Sequence, residues 1–421
     1  MLDSKRVREN PDGIRTALAR RGGKPDLEPI LELERARRAL QTEVQALKAK
    51  RNQISEEVAR LKREKKDADA LVAESRTLGE QIAALDTKGR EAEGPIADLL
   101  LRLPNVPAAD VPDGTSAEQN VEVRRFLEPA VPPGGAKPHW DIAERLGLID
   151  FARAGNISGS GFGLYTGTGA RLVRALVNFM LDLHTAKGYR EILPPYLVTR
   201  DCMVGTGQLP KFEEDMYRLR DDALYLIPTA EVPVTNMHRG EILGGKDLPI
   251  RYTAYSACFR REAGTYGKDT RGIVRVHQFD KVELVKFAAP ETSYAELESL
   301  TADAEEVLKR LGLCYRVLKL CAGDLGFASA KTYDLELWAP GLDRWLEVSS
   351  CSNFEDFQAR RANIRFRGED KKVRFVHTLN GSGVAIPRLF IALLECGLQA
   401  DGSVLLPEAI RPYLGGMERI G

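Results

Sequence analysis

Residues Arg251 to Glu283 read RYTAYSACFRREAGTYGKDTRGIVRVHQFDKVE. Ile250 to Arg260 alternates small and aromatic residues with polar ones. Gly272 to Glu283 sets Ile273, Arg275, His277 and Phe279 against Val274, Val276, Gln278 and Asp280. A repeat of two is the strand period. Gly264, Gly267, Asp269 and Gly272 punctuate the middle, so the stretch predicts an antiparallel hairpin with a long tip. Arg260, Arg261, Glu262, Arg271, Arg275 and Glu283 stand among apolar residues, where an unpaired charge is costly. Two readings fit these charges. One is an edge hairpin with a solvated face; the other is a polyanion site, with arginines on phosphates and carboxylates on amino groups or a metal.

The rest of the chain bounds the choice. Its 421 residues exceed one compact core and predict two or three domains. Lys and Arg number 61, as do Asp and Glu, a balance that still allows a local basic surface. Cys202, Cys258, Cys314, Cys321, Cys351 and Cys396 form no CxxC pair, and the five histidines form no HxxxH or HExxH spacing. Neither a disulfide framework nor a structural zinc site is expected. The opening MLDSKRVREN is too charged for a signal peptide, and no apolar run is long enough for a bilayer. A cytoplasmic protein with reduced thiols and no membrane association is the expectation.

Toward the N-terminus, Ile30, Leu33, Leu40, Val44, Leu47, Ile54, Val58 and Leu61 recur at three- and four-residue steps, with Arg37 and Arg51 in the remaining seam positions. This is a heptad seam. Leu71, Leu78, Ile82, Leu85, Ala92, Ile96, Leu99 and Leu103 form a second, with Ser75 and Gly89 interrupting it. The polar link Lys62 to Ala70 joins them, so residues 27–103 predict an antiparallel helical hairpin within a domain of residues 1–105. Gly79, Gly89 and Gly94-Pro95 predict bends in its second arm. From Arg35 to Lys66, eleven Lys and Arg face four Glu. Such a face is usually only solvated, but it also suits a phosphate backbone.

Residues 106–138 carry PNVPAADVPDGTS-like and EPAVPPGGAKP character and predict a linker. Residues 139–421 mix helical and strand signals as one large α+β domain. The glycine-rich run from Asp150 to Thr168 lacks the Lys-Ser/Thr ending of a P-loop. Tyr189 to Pro195 reads as a strand ending in Pro-Pro, suited to an edge or interface. Leu224 to Thr235 is a short strand broken at Pro228 and followed by Thr229-Ala230-Glu231. Tyr333 to Trp338 and Trp345 to Ser350 read as paired strands. Leu379 to Arg388 opens an apolar helix with Pro387 in its first turn. An arginine at a helix start opposes the dipole unless an anion sits there.

Taken in order, Thr229-Ala-Glu231, Phe259-Arg-Arg-Glu-Ala-Gly264, Arg271-Gly272, Arg275-Val-His-Gln-Phe279, Glu347-Val-Ser-Ser350 and Asn380-Gly-Ser-Gly383 resemble the signatures of class II aminoacyl-tRNA synthetases. The specific likeness is to the bacterial seryl-tRNA synthetase family, and with the helical arm it covers the whole chain. It implies an α+β fold: an antiparallel coiled-coil arm, then a catalytic domain on a mixed, mainly antiparallel β-sheet flanked by helices. It also implies serine–tRNA ligase activity. Serine is activated with ATP and passed to the 3′ end of serine tRNA, with selenocysteine tRNA as a further substrate. The implied protein is a homodimer with Pro194-Pro195 near its interface.

The resemblance further assigns roles. Arg260 and Arg388 would be catalytic. ATP would be held by Arg260, Arg261, Glu262, Arg275, Val276, Phe279, Glu347, Val348, Ser349, Ser350 and Arg388. Phe279 would stack on the base, and Glu347 and Ser350 would hold Mg²⁺, a hard cation that takes oxygen ligands. An ideal strand puts 347 and 350 on opposite faces, so a bulge or strand end is expected there. Serine would sit among Thr229, Ala230, Glu231, Glu283 and Ser382, and the Thr265 to Arg271 tip would meet the tRNA acceptor end. Two alternatives are a synthetase-like ligase that loads an amino acid onto a carrier protein, and a non-catalytic RNA-binding paralogue. The intact double seam argues against the first, and the retained Arg260, Glu262, Glu283, Glu347 and Arg388 against the second.

Overall fold

The computed structural model describes residues 1–263 and 271–421. Contacts divide the chain into two units, one of residues 2–19 and 23–104, the other of residues 1, 20–22 and 105–421.

In the first unit, α1 (Glu28–Arg63) and α2 (Asp69–Glu91) pair, followed by α3 (Glu93–Leu101). At about 1.5 Å per residue, α1 is roughly 54 Å long. Ile30, Val44 and Ile54 of the first seam and Leu78 and Ile82 of the second are buried, as heptad spacing requires. Gly79 and Gly89 do not break α2; the break comes at Ala92, just before Gly94-Pro95. Proline in the first turn of α3 lacks the N–H that a continuous helix would need there. Buried Glu34 is held by Arg8 and Arg37, each at 3.2 Å. Across the hairpin, Lys48 meets Asp86 at 3.2 Å and Lys50 meets Glu74 at 2.8 Å.

The second unit is built on one eight-stranded sheet. Its strands are β1 (Val121–Phe126), β2 (Arg190–Ile192), β3 (Ile250–Phe259), β4 (Gln278–Ala288), β5 (Tyr315–Lys319), β6 (Lys331–Ala339), β7 (Arg344–Asn353) and β8 (His377–Ala385). Their order is β1-β5-β6-β7-β8-β4-β3-β2, antiparallel except for the β3–β2 pair. β2 is therefore an edge, which is where a strand running into Pro194-Pro195 can sit. Helices α4 (Gly167–Ala186), α5 (Ser293–Arg310) and α6 (Ile386–Gly397) bury apolar residues such as Leu172, Leu176, Leu297, Leu300, Leu389 and Phe390 in the main core.

Three segments differ from expectation. Residues 106–138 are structured: Val121–Phe126 pairs with β5, and Val111 packs with Leu320, Ala322 and Leu325. Proline excludes helix but not an extended chain bonded through its other residues, as where the Ala108 amide donates to Ala330 O at 2.8 Å. The second hairpin strand begins at Gln278, not Gly272. Ahead of it, Ile273 N donates to His139 Nε2 and His277 N to Gly161 O, so this backbone is satisfied off the ladder. Gly272 has φ +77°, and a Cβ there would lie 2.2 Å from His139 Nε2. Finally, Asn380 to Gly383 belongs to β8, and the helix starts only at Ile386.

Phe390 is fully buried, edge-on to Tyr165 at 5.2 Å. Phe390→Ala is expected to lower the stability of this unit by about 3–5 kcal/mol. All three tryptophans, Trp140, Trp338 and Trp345, lie in the same unit, so fluorescence-monitored denaturation reads that loss directly.

Candidate active site

Two adjoining cavities, of about 550 and 180 Å³, share Arg260, Glu262, Arg275, Lys281, Glu347 and Ser382 as walls. Thr229, Glu231, Glu283, Ser350 and Asn380 line the larger one. Val276, Phe279, Val348 and Arg388 line the smaller one. Lys281, Glu283, Glu347, Ser350, Asn380 and Ser382 converge because β4, β7 and β8 lie side by side in the sheet.

Three expected site residues have side chains elsewhere. Ala230 is buried in an apolar cluster with Val234, Leu243 and Tyr252. Ser349 is buried and donates to Ser382 O at 2.6 Å. Arg261 donates to Glu214 O at 3.1 Å and lines a different hollow beside Tyr217, Arg218 and Tyr225. Strand alternation explains the second, since Ser349 and Ser350 point to opposite faces. For Arg261, its own amide bonds to Asp215 O at 3.0 Å and the next residue, Glu262, has φ +50°, so the chain turns here. The hairpin tip, residues 264–270, lies outside the described residues, and with it the expected acceptor-end contact.

The smaller cavity is cationic. Arg260 lies over the Phe279 ring, 5.1 Å from its centroid. Arg275 pairs with Glu262 at 3.2 Å. Arg388 donates to the Glu347 carbonyl at 2.5 Å and to Val274 O at 3.4 Å. Three guanidiniums around one hollow create a site for a polyanion, and a flat aromatic wall beside them suits a heterocycle. The β6–β7 register shifts between Glu347 and Ser349, so Val348 is an extra residue. That bulge is what brings Glu347 and Ser350 to the same cavity despite their spacing. Behind Ser350 stands Asp334, whose Oδ1 is buried without a hydrogen-bond partner. Burial, then the nearby charge of Glu347, pushes its carboxyl well above the usual range. Glu347 and Ser350 are the side chains that present oxygen to the cavity here, the ligand type that fits a hard divalent cation.

The larger cavity is acidic at its inner end. Lys281 and Glu283, two residues apart on one face of β4, pair at 2.7 Å. Asn380 Nδ2 donates to Glu283 Oε1 at 2.9 Å. Glu231 is buried and accepts from Gln358 Nε2 at 2.6 Å. Burial and the neighbouring Glu283 push its carboxyl up to about 7. Excess negative charge in a small polar end suits an ammonium group with a hydroxyl. Lys281, Gln358 and Asp334 were not expected from sequence. Lys281 had a signal, its period-two spacing from Glu283; Gln358 had none.

Comparison with known proteins agrees with this geometry. The seryl-tRNA synthetase N-terminal domain model matches residues 1–107, and the class II core domain model for G, H, P, S and T synthetases matches residues 211–396. The serine–tRNA ligase of Thermodesulfovibrio yellowstonii is 59% identical over 419 residues, covering 99% of both chains. That of Caldicellulosiruptor saccharolyticus is 60% identical over 416 residues, again 99% of both. Among solved structures, seryl-tRNA synthetase from Pyrococcus horikoshii complexed with ATP aligns with a TM-score of 0.92 at 39% identity. The alignment covers 100% of this chain and 99% of that one.

Proposed function

Because this chain belongs to the seryl-tRNA synthetase family, we propose that it activates L-serine with ATP and transfers the seryl group to the 3′ end of serine tRNA. The observation that carries the reading is a pair of adjoining cavities with shared walls, one cationic and aromatic-walled, the other acidic at its inner end. The nucleotide takes the first and serine the second.

In the first step the serine carboxylate attacks the α-phosphorus and pyrophosphate leaves. In the second, a ribose hydroxyl of the terminal nucleotide attacks the acyl carbon, releases AMP and loses its proton. Neither step needs a protein nucleophile; catalysis rests on alignment and charge stabilisation. Arg260 holds the α-phosphate, Arg275 and Arg388 the terminal phosphates, and Phe279 the adenine face. Glu262 contacts the adenine, and Val276 offers its backbone. Glu347 and Ser350 would hold Mg²⁺, which supplies further charge neutralisation at the phosphates. Thr229, Glu231, Glu283 and Ser382 surround serine. A site built to bond the hydroxyl disfavours alanine, which leaves buried polar groups unpaired.

The basic face of α1 contacts the tRNA backbone. Arg38 and Lys62 on α1, and Lys65 in the turn after it, are exposed and have no ion-pair partner among the described residues, which supports a role outside the hairpin itself. The reading extends to selenocysteine tRNA and to a homodimer. Leu193, 76% exposed beside the edge strand β2, supports the latter. No described helix is long and apolar enough to cross a membrane.

Serine-dependent exchange of pyrophosphate into ATP tests the activation step, and its absence with folded protein removes the reading. The pH profile adds a sign. Glu231 with a carboxyl near 7 is neutral below that pH and anionic above it, and the anion binds the serine ammonium. kcat/KM for serine should therefore rise through about pH 7, while the KM for ATP stays flat across the same interval.

A further inference from the structure

Gln358, on the short helix Phe357–Ala362, is 1% exposed and its amide is fully bonded. Its Nε2 donates to Thr206 O at 3.1 Å and to Glu231 Oε1 at 2.6 Å. Its Oε1 accepts from the Thr378 hydroxyl, on β8, at 2.7 Å. Thr206 O can only accept, so it fixes which end of the amide carries the hydrogens. The two Nε2 hydrogens then have two acceptors, and the amide can turn no other way. Glu231 Oε1 is thereby tied down, and no described donor holds Oε2 of this cavity-lining residue.

We propose that Gln358 is a positioning residue for the amino-acid site: it orients Glu231 so that one carboxylate oxygen is left to bond the incoming serine. The inference rests on the serine reading above. A neutral donor is the right chemistry for the task. A lysine or arginine at 358 would also tether Glu231, but it would cancel the charge that attracts the substrate ammonium. The charged groups acting on Glu231 are Glu283, which opposes its ionisation, and Lys281 and Arg260, which favour it; the Gln358 amide adds to the favourable side. Thr378 acts one step further out, holding the amide rather than the carboxylate.

The test is serine-dependent ATP–pyrophosphate exchange by the full-length protein, with wild type establishing the serine reading itself. Gln358→Met keeps most of the volume and removes both donors. It should raise the KM for serine about 10- to 100-fold. The KM for ATP should be unchanged. The acid limb of kcat/KM for serine should move upward by about one pH unit, because the lost bond favoured the anion. A merely structural role would not move that limb. Thr378→Val retains the amide and loosens it, so it should raise the serine KM by a smaller factor, about threefold. It decides the matter if Gln358→Met does not fold. Unchanged serine KM and limb in Gln358→Met, or unchanged serine KM in Thr378→Val where only that variant folds, overturns the positioning role. Absent exchange in wild type overturns the serine reading instead.

Discussion

Arg260→Ala should reduce serine-dependent ATP–pyrophosphate exchange by about 10³-fold or more while the protein stays folded. Of the two guanidiniums that line both cavities, Arg260 and Arg275, Arg260 is the one that lies against the Phe279 face, where the proposed reaction brings carboxylate and α-phosphorus together. Its charge is needed most in the transition state, where negative charge accumulates around the phosphorus. Removing it therefore lowers kcat as well as kcat/KM. The fold does not depend on this side chain. The backbone of Arg260 is fixed by its own amide to His277 O at 2.9 Å, and beyond the Phe279 ring its side chain makes one hydrogen bond among the described residues, a 3.4 Å contact to Pro228 O. Arg260→Lys should restore little, since an ammonium lacks the planar fork that spans two phosphate oxygens. Unchanged near-ultraviolet dichroism with lost exchange is the expected pair of results. Exchange within tenfold of wild type would sink the phosphate role.

How far sequence reaches into this site depends on the kind of information each residue carries. The heptad seams were legible because their repeat is local, and burial of Ile30, Val44 and Ile54 follows from it. A bulge or strand end near Val348 was legible only through the resemblance, which put Glu347 and Ser350 at one site although residues three apart cannot share a face of a regular strand; the bulge is what is found. The strand Val121–Phe126 was not legible, because its residues are almost all exposed at a sheet edge, its alternation lasts only from Val121 to Arg124, and prolines lie on both sides. The start of β4 was misread for the opposite reason. Ile273, Val274 and Val276 are all buried, packed by a looped chain rather than by a pleat, yet their spacing imitates one. Gln358 marks the limit. The acceptors of its amide hydrogens are 127 and 152 residues away in sequence, and only the assembled sheet and helices bring them together.

Removing residues 35–98 and joining the stumps should leave exchange within about twofold of wild type and lower kcat/KM for serine tRNA by about 100-fold or more. No residue of that segment lines either cavity, so amino-acid activation has no need of it. The cut is also level: Arg37 faces Glu93 across the hairpin at 3.7 Å, so both arms are shortened together. What is lost is the excess of basic residues on α1 and the turn after it, among them Arg38, Lys62 and Lys65. A phosphate backbone is bound chiefly by releasing its counterions, so the loss must also appear in the salt dependence. The full-length variant Arg38→Glu, Lys62→Glu, Lys65→Glu separates charge from shape. It should exchange normally, charge poorly, and show a log–log salt slope for tRNA binding shallower by about two to three. Arg38, Lys62 and Lys65 are all exposed, and exposed positions tolerate such changes at little cost in stability, so circular dichroism should match wild type. Undiminished charging by the deleted chain would refute the arm's role in binding tRNA. A normal salt slope in the triple variant, with charging still lost, would move that role from charge to shape.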